Sequence, residues 1–314
     1  MSKGDFTNRQ ARHSRREALR CIAFGGAGTL FALTGGVLTS FDLSRAANIP
    51  PAATPLFVQI SDTHIGFNKE ANPDVAGTFR KTAGLLNAMP QRPSLFIHTG
   101  DITHLSKASE FDMALGLFQE AGITDLHTVP GEHDVTDGPG TEYFARFGAA
   151  SQGKGYYSFD ASGVHFVALV NVMHFKAGGL GALGPDQLAW LEHDLKTRSA
   201  STPIVVFAHM PLWTIYQPWG WGTDDAAQAF AHLKRFGSVT VLNGHIHQIV
   251  QKVEGHITFH TARSSAYPQP KAGEGPGPGP LTVPPDALPK MLGLTSVTIA
   301  PHPGVVAIND QTIA

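Results

Sequence analysis

The sequence predicts an α/β fold, and three observations carry that prediction. Short apolar runs alternate with segments of helical periodicity through residues 56–308. Five of those runs end in polar clusters built from Asp, Glu and His. Hydrophobic residues make up 42% of the 314 and charged residues 15%, enough to fill a sizeable core and too apolar for wholesale disorder.

The first 46 residues read as a leader. Residues 12–20 are basic and contain the pair Arg15-Arg16. An uncharged run follows over 21–41, interrupted by Gly25, Gly26, Gly28, Gly35 and Gly36, and Ser44 and Ala46 stand at the small-residue spacing of a cleavage site. Ser14-Arg15-Arg16-Glu17-Ala18-Leu19 resembles the twin-arginine signal, with Ala18 where Phe is usual. The implied partner is the twin-arginine export machinery, and the implied location is periplasmic or secreted. The competing reading is an uncleaved anchor, since the uncharged run is long enough to span a bilayer. The only cysteine, Cys21, lies in this leader, so cleavage would leave no disulfide and no thiolate site. The leader carries seven Lys/Arg and three acids; the formal charge of −2 for the chain therefore leaves −6 on the remainder. A body that acidic is a poor partner for long nucleic acid. A small phosphate ester held by metal ions stays open to it.

Residues 47–55 form a Pro/Ala linker, and the predicted domain runs over 56–314. Strands are expected at 56–60, 95–97 and 126–129, then at 156–159 and 164–170, joined by the turn Asp160-Ala-Ser-Gly163. Further strands are expected at 204–208, 239–242, 295–299 and 305–308. Phe111, Leu115 and Phe118 recur at helical spacing after a candidate cap at Ser106. Gly184-Pro185 opens a helix that carries Leu188, Leu191 and Leu195 on one face. The Pro/Gly-rich stretch 267–289 is a long loop, a functional flap or decoration.

The strand-end clusters are Asp62-Thr-His64, Gly100-Asp101, Gly131-Glu132-His133-Asp134, His209 and Gly244-His245-Ile246-His247. Ligands in open α/β sheets bind beyond the carboxyl ends of strands, so shared strand direction would bring these clusters together. Carboxylates and imidazoles without thiolates suit Zn, Mn or Fe. Asp62 and His64, two apart, would point the same way in an extended segment and share one ion. His245 and His247 can do likewise or serve two neighbouring ions. Asp101 can lend one oxygen to each of two ions, which together would clamp a phosphate and activate a bridging water. Each cluster alone is weak, and a lone buried His is more often structural. Their recurrence at five strand ends is the signal.

These residues resemble the signature of the calcineurin-like metallophosphoesterases across roughly residues 56–266. Ile60-Ser-Asp-Thr-His64 with Gly100-Asp101-Ile-Thr103 is closest to the branch of bacterial cyclic-nucleotide phosphodiesterases. The resemblance implies a double β-sandwich flanked by helices, a four-layer αββα arrangement. It implies two metal ions, divalent or mixed-valence. Asp62, His64, Asp101 and His247 would hold the first, and Asp101, Glu132, His209 and His245 the second. It implies that His133 acts beside the phosphate as general acid or charge stabiliser.

Two positions depart from the pattern. Glu132 stands where the family usually has Asn, adding a negative charge to the second site. His104 stands where many relatives have an Asp that orients the catalytic histidine, and is expected to touch substrate, to partner His133 or to sit behind it. With that Asp missing, Asp134 is expected to orient His133. The function implied is hydrolysis of a phosphomonoester or phosphodiester through a bridging hydroxide. The rivals are a nuclease and an inactive metal-binding scaffold for protein contacts. Substrate, metal identity and oligomeric state are not encoded legibly.

Overall fold

The computed structural model describes residues 30–34, 37–41, 56–174, 178–299 and 306–314. Two units are distinguished, Met1–Pro51 and Ala52–Ala314. In the first, β1 (Leu30–Thr34) and β2 (Val37–Phe41) pair as an antiparallel hairpin. The Arg15-Arg16 pair, the candidate cleavage site and the whole of the linker lie outside the described residues. No helix among the described residues is long and apolar enough to cross a membrane.

The second unit runs β3 (Phe57–Ile60), α1 (Val75–Ala88), β4 (Leu95–His98), α2 (Ala108–Glu120), β5 (Asp125–Thr128) and α3 (Thr141–Phe147). It continues with β6 (Tyr157–Ala161), β7 (Val164–Ala168), α4 (Pro185–Lys196), β8 (Ile204–Phe207), α5 (Ala226–Leu233) and β9 (Val239–Asn243). It ends with β10 (Gln251–Glu254), β11 (Ile257–Thr261), α6 (Leu288–Met291), β12 (Gly293–Ile299) and β13 (Val306–Thr312). One sheet has the order β10-β11-β9-β8-β7-β6 and the other β13-β12-β3-β4-β5.

Alternation along each strand stacks the layers. Phe57, Leu95, Ile97, Val205, Phe207 and Leu242 meet between the sheets. Their neighbours Val58, Ile60 and Phe96 pack against Val75 and Phe79 of α1 and Phe111 of α2. On the far side Ile204, Val206 and Val241 pack against Leu188 and Leu191 of α4 and Ala229 of α5. The result is the four-layer αββα arrangement. Central strands covered on both faces take apolar residues at most positions, with Gln59 and Thr240 as buried exceptions, which is why they read as near-continuous runs.

Some local expectations change. The buried stripe of α2 is Phe111, Ala114, Leu117 and Phe118, while Leu115 faces solvent. Ser106 does not cap α2; its hydroxyl donates to the His133 carbonyl (2.8 Å) and accepts the Thr136 amide (2.9 Å), tying down the loop after β5. Ser162 and Gly163, both at positive φ, make the tight turn between β6 and β7. Strands β3, β4 and β5 are parallel to one another, as are β7, β8, β9 and β11. All five polar clusters therefore follow carboxyl ends of parallel strands.

Candidate dinuclear metal centre

The seven candidate ligands converge in two adjoining groups. In one, His247 Nε2 lies 3.3 Å from Asp62 Oδ1 and 3.2 Å from His64 Nε2. In the other, Glu132 places Oε2 2.8 Å from His209 Nε2 and Oε1 2.9 Å from His245 Nδ1. Asp101 stands between them, its Oδ2 3.5 Å from His64 Nε2 and 3.4 Å from His209 Nε2. His245 and His247 thus fall in different groups.

The backbone achieves this by kinking. Asp62, His64, Asp101, His245 and His247 have φ of 52°, 40°, 55°, 70° and 55°. That is the left-handed region, which Asp and His enter more readily than most residues, at about 1 kcal/mol or more each. Asp62 and His64 are therefore not related by the extended spacing expected from sequence; two left-handed residues turn them toward the centre. Glycines let the loops close around the ligands. A Cβ on Gly131 would collide with the Asp101 carboxylate, and one on Gly244 with Ser61 Oγ and, at 2.6 Å, with Asp62 Oδ2.

Hydrogen bonds fix the ligand orientations. His209 Nδ1 donates to the Thr99 carbonyl (2.7 Å) and His247 Nδ1 to the Tyr267 carbonyl (2.6 Å), turning both Nε2 atoms toward the cluster. Asp62 accepts the His245 amide (3.1 Å) and the Ser61 hydroxyl, and its carbonyl accepts Ser264 Oγ–H (2.7 Å). Asp101 Oδ1 accepts the His133 amide (2.9 Å), freeing Oδ2.

The donor set passes a direct test of fit to metal. Polar atoms buried here face chiefly one another, Glu132 Oε2 with His209 Nε2 and Glu132 Oε1 with His245 Nδ1, and His245 Nε2 has no hydrogen-bond partner at all. Leaving such an atom unpaired costs on the order of 1–3 kcal/mol, and coordination supplies the missing partner. Oxygen and imidazole donors without sulfur suit a borderline divalent or trivalent ion. Electrostatics agree. Burial pushes the Asp62 and Glu132 carboxyls up, but the imidazoles of His247 and His209, and of His245 and His209, hold them below the usual range. Burial and three neighbouring histidines push His64 well down, keeping it neutral and able to ligate.

His133 lies beside the cluster, a ring nitrogen within 4.8 Å of carboxylate oxygens of Asp101 and Glu132. Its Nδ1 donates to the His104 carbonyl at 2.7 Å. Burial lowers its pKa, but Asp101, Glu132 and that carbonyl outweigh burial and raise it. His104 stacks on His133 at 4.9 Å with 16° between planes; burial and the charges of His133 and Lys69 bring its pKa down to about 4. The expectation for Asp134 is corrected. Its carboxylate accepts the amides of Ile102 (3.0 Å), Thr103 (2.8 Å) and Gly131 (3.0 Å), joining the two loops, and the orientation of His133 comes from the His104 carbonyl instead. Burial and the Asp101 charge raise the Asp134 pKa to about 7 against those three amides.

Sequence reasoning misses Ser61, Ser264, Gln269 and Tyr267. Gln269 donates to the His245 carbonyl at 2.9 Å, and Tyr267 stacks on His64. The start of the Pro/Gly-rich loop thus belongs to the site. An aromatic residue at the mouth of a loop that follows a strand's carboxyl end was the available signal. Of the tryptophans after His209, Trp221 is core and Trp213 packs on Phe259.

Residues 55–249 match the profile of the calcineurin-like phosphoesterases. The chain belongs to that family. It is 32% identical over 130 residues to serine/threonine-protein phosphatase CPPED1 of Bos taurus, covering 41% of this chain and 38% of that one. The corresponding mouse protein is 26% identical over 175 residues, 50% of this chain and 56% of its own. The aligned segments thus span under two thirds of either relative. In fold, the chain is similar to a dimetal phosphatase from Danio rerio (TM-score 0.64, 14% identity, 83% of this chain and 97% of that one). It is also similar to a purple acid phosphatase from yellow lupin (TM-score 0.58, 13% identity, 82% and 51%). The family implies two metal ions in the centre.

Proposed function

We propose that this protein is a metal-dependent hydrolase of phosphomonoesters or phosphodiesters. The observation that carries the reading is Asp101, whose Oδ2 lies 3.5 Å from a histidine of one ligand group and 3.4 Å from a histidine of the other. Asp62, His64, Asp101 and His247 would hold one ion, and Asp101, Glu132, His209 and His245 the second. Bound there, the pair supplies positive charge for the phosphoryl oxygens and activates water for attack.

The chain's own groups do the remainder. Asp101 orients His133 by accepting its amide, and the His104 carbonyl fixes the ring by accepting Nδ1–H. That leaves Nε2 as the nitrogen able to give a proton to the departing oxygen. A carbonyl acceptor polarises the imidazole less than the carboxylate of many relatives would, so His133 gives up that proton more readily. Glu132 contributes a third carboxylate to the cluster, which favours a more highly charged second metal, such as ferric iron, over a softer one. The motif Ile60-Ser-Asp-Thr-His64 supports a cyclic phosphodiester among the substrates.

Elemental analysis of the purified protein, followed by a screen of phosphate esters, tests this. Two metal ions per chain with metal-dependent turnover are expected. Two ions with no turnover, together with tight protein binding, would favour the scaffold; preference for long nucleic acid would favour the nuclease. Export by the twin-arginine route is part of the proposal, supported by Arg15-Arg16 and the uncharged run 21–41. Replacing both arginines by lysine should trap the precursor inside bacterial cells, and unchanged export would remove that part.

A further inference from the structure

A glutamine interrupts the apolar run of β3, Phe57-Val-Gln-Ile60. The Gln59 amide nitrogen donates to the Thr99 hydroxyl (3.0 Å) and to the Asn243 carbonyl (3.2 Å). A carbonyl can only accept, so the amide atom that faces it is the nitrogen. The Thr99 hydroxyl, having accepted that bond, donates to Ser61 Oγ (2.7 Å). Ser61 in turn donates to Asp62 Oδ2, and a carboxylate can only accept. Gln59, Thr99, Ser61 and Asp62 thus form one hydrogen-bond relay whose direction is fixed at both ends. All of them are 0% exposed.

Packing alone does not ask for this relay. The Gln59 amide oxygen is buried without a hydrogen-bond partner, a cost that leucine in the same strand would avoid. Each hydroxyl that accepts one bond is polarised to donate the next, which strengthens the bond that reaches Asp62. There the relay holds Oδ2, while Oδ1 of the same carboxylate stands 3.3 Å from His247 Nε2. The relay also adjoins the second ligand group, but through the backbone. The Thr99 carbonyl accepts His209 Nδ1–H (2.7 Å), and Asn243 ends β9 directly ahead of Gly244 and His245.

We infer that Gln59, Thr99 and Ser61 are positioning residues for the ion held by Asp62, His64, Asp101 and His247: their relay fixes the Asp62 carboxylate and so sets the affinity for that ion. The inference rests on the dinuclear metal reading above. A carboxylate free to rotate loses rotamer freedom when it ligates. One already held by a buried donor has lost that freedom in folding, and the fixed orientation appears as metal affinity.

The test is titration of the metal-free full chain with cobalt(II), read by calorimetry and by visible absorption, which reports ligand geometry. The binding step that His247→Ala abolishes identifies the ion concerned. Thr99→Val keeps the shape and the carbonyl that holds His209, and breaks the relay in its middle. It should weaken that step about tenfold and leave the other step unchanged, the scale expected for a group that orients a ligand. Thr99→Ser should restore the affinity, and Ser61→Ala, which removes the last donor, should weaken it at least as much as Thr99→Val. A merely structural network would lower the melting temperature and move neither step. Should Thr99→Val fail to fold, Gln59→Leu fills the strand and removes the first donor, with a loss of about threefold expected at the same step. Unchanged affinity in the folded variants, or an equal loss at both ions, would overturn the inference. Wild type that binds fewer than two cobalt ions would count against the dinuclear reading; two ions bound equally well by wild type and variants would count against the relay alone.

Discussion

Two sets of fully buried histidines in this molecule behave in opposite ways. His165 and His260 lie away from the strand-end clusters and have both ring nitrogens satisfied. His165 bonds Asp160 at 2.9 Å and Asp194 at 2.7 Å; His260 bonds Asp310 at 3.0 Å and the Gln251 amide at 3.1 Å. At the carboxyl edge, His209 and His247 each spend Nδ1 on a backbone carbonyl and turn Nε2 toward carboxylates. His245 turns Nδ1 toward Glu132 at 2.9 Å and leaves Nε2 without a hydrogen-bond partner. Burial alone therefore does not mark a metal ligand. The mark is a buried imidazole that turns a ring nitrogen toward the carboxylates of the cluster, in His209 and His247 with the other nitrogen held by a backbone carbonyl.

The comparison breaks most visibly at Asp101. Asp101→Asn removes the charge between the two groups while keeping the shape. Metal content should fall and kcat/KM should drop by about 10³-fold or more, several kcal/mol of charge stabilisation at 1.4 kcal/mol per tenfold. Folding should survive, because His64 and His209 keep their other contacts. Normal metal content with normal activity would separate Asp101 from the centre.

His165→Leu is the converse change. It leaves the part-buried Asp194 carboxylate without its imidazole, which should lower stability by about 2–3 kcal/mol. Metal content and kcat/KM per folded molecule should stay at wild-type levels, read by elemental analysis and assay below the melting transition. Loss of metal in this variant would blur the division between the two sets.

Glu132→Asn sharpens the comparison within the centre. The carboxylate faces both His209 and His245, so Asn restores the family's usual donor and removes one buried charge. Affinity for the second ion should weaken by about tenfold, read by metal titration, on the scale of shell substitutions around a metal. Folding stability of the metal-free protein should fall, because the charged carboxylate that His245 and His209 favour is lost and both imidazoles lose their partner. A second-site affinity equal to wild type would mean that Glu132 does not ligate.

How much of this was legible in sequence follows from which faces were covered. The central strands were visible because both faces are buried, and the clusters because they follow those strands directly. Helix α1 was not visible: its buried stripe Val75, Phe79, Thr82 and Leu86 has a threonine in the middle. The hairpin partner β10 is exposed at every position and carries no apolar signal. In the site, residue types at the strand ends were readable, but not the left-handed kinks that aim them. The true anchor of His133 is a backbone carbonyl, which has no sequence signature, so the residue types alone point to Asp134 instead. Tyr267 was hidden for a similar reason, since its place over His64 depends on the path of a loop.

The smallest effect concerns pH at the structural set. Burial pushes the Asp194 carboxyl up, but bonds from His165 and Ser158 and the charges of His165 and Arg198 outweigh it and hold its pKa below the ordinary value. A carboxyl depressed in the folded state contributes stability above its unfolded pKa of about 4 and loses that contribution as pH falls through the folded value. The stability difference between wild type and Asp194→Asn should therefore be constant from pH 7 down to about 5 and shrink below about 4. Thermal melts of both proteins across that range measure it, and metal loss at low pH affects both alike and cancels in the difference. A gap that widened on acidification would show that Asp194 is protonated in the fold, and that His165 is held by Asp160 alone.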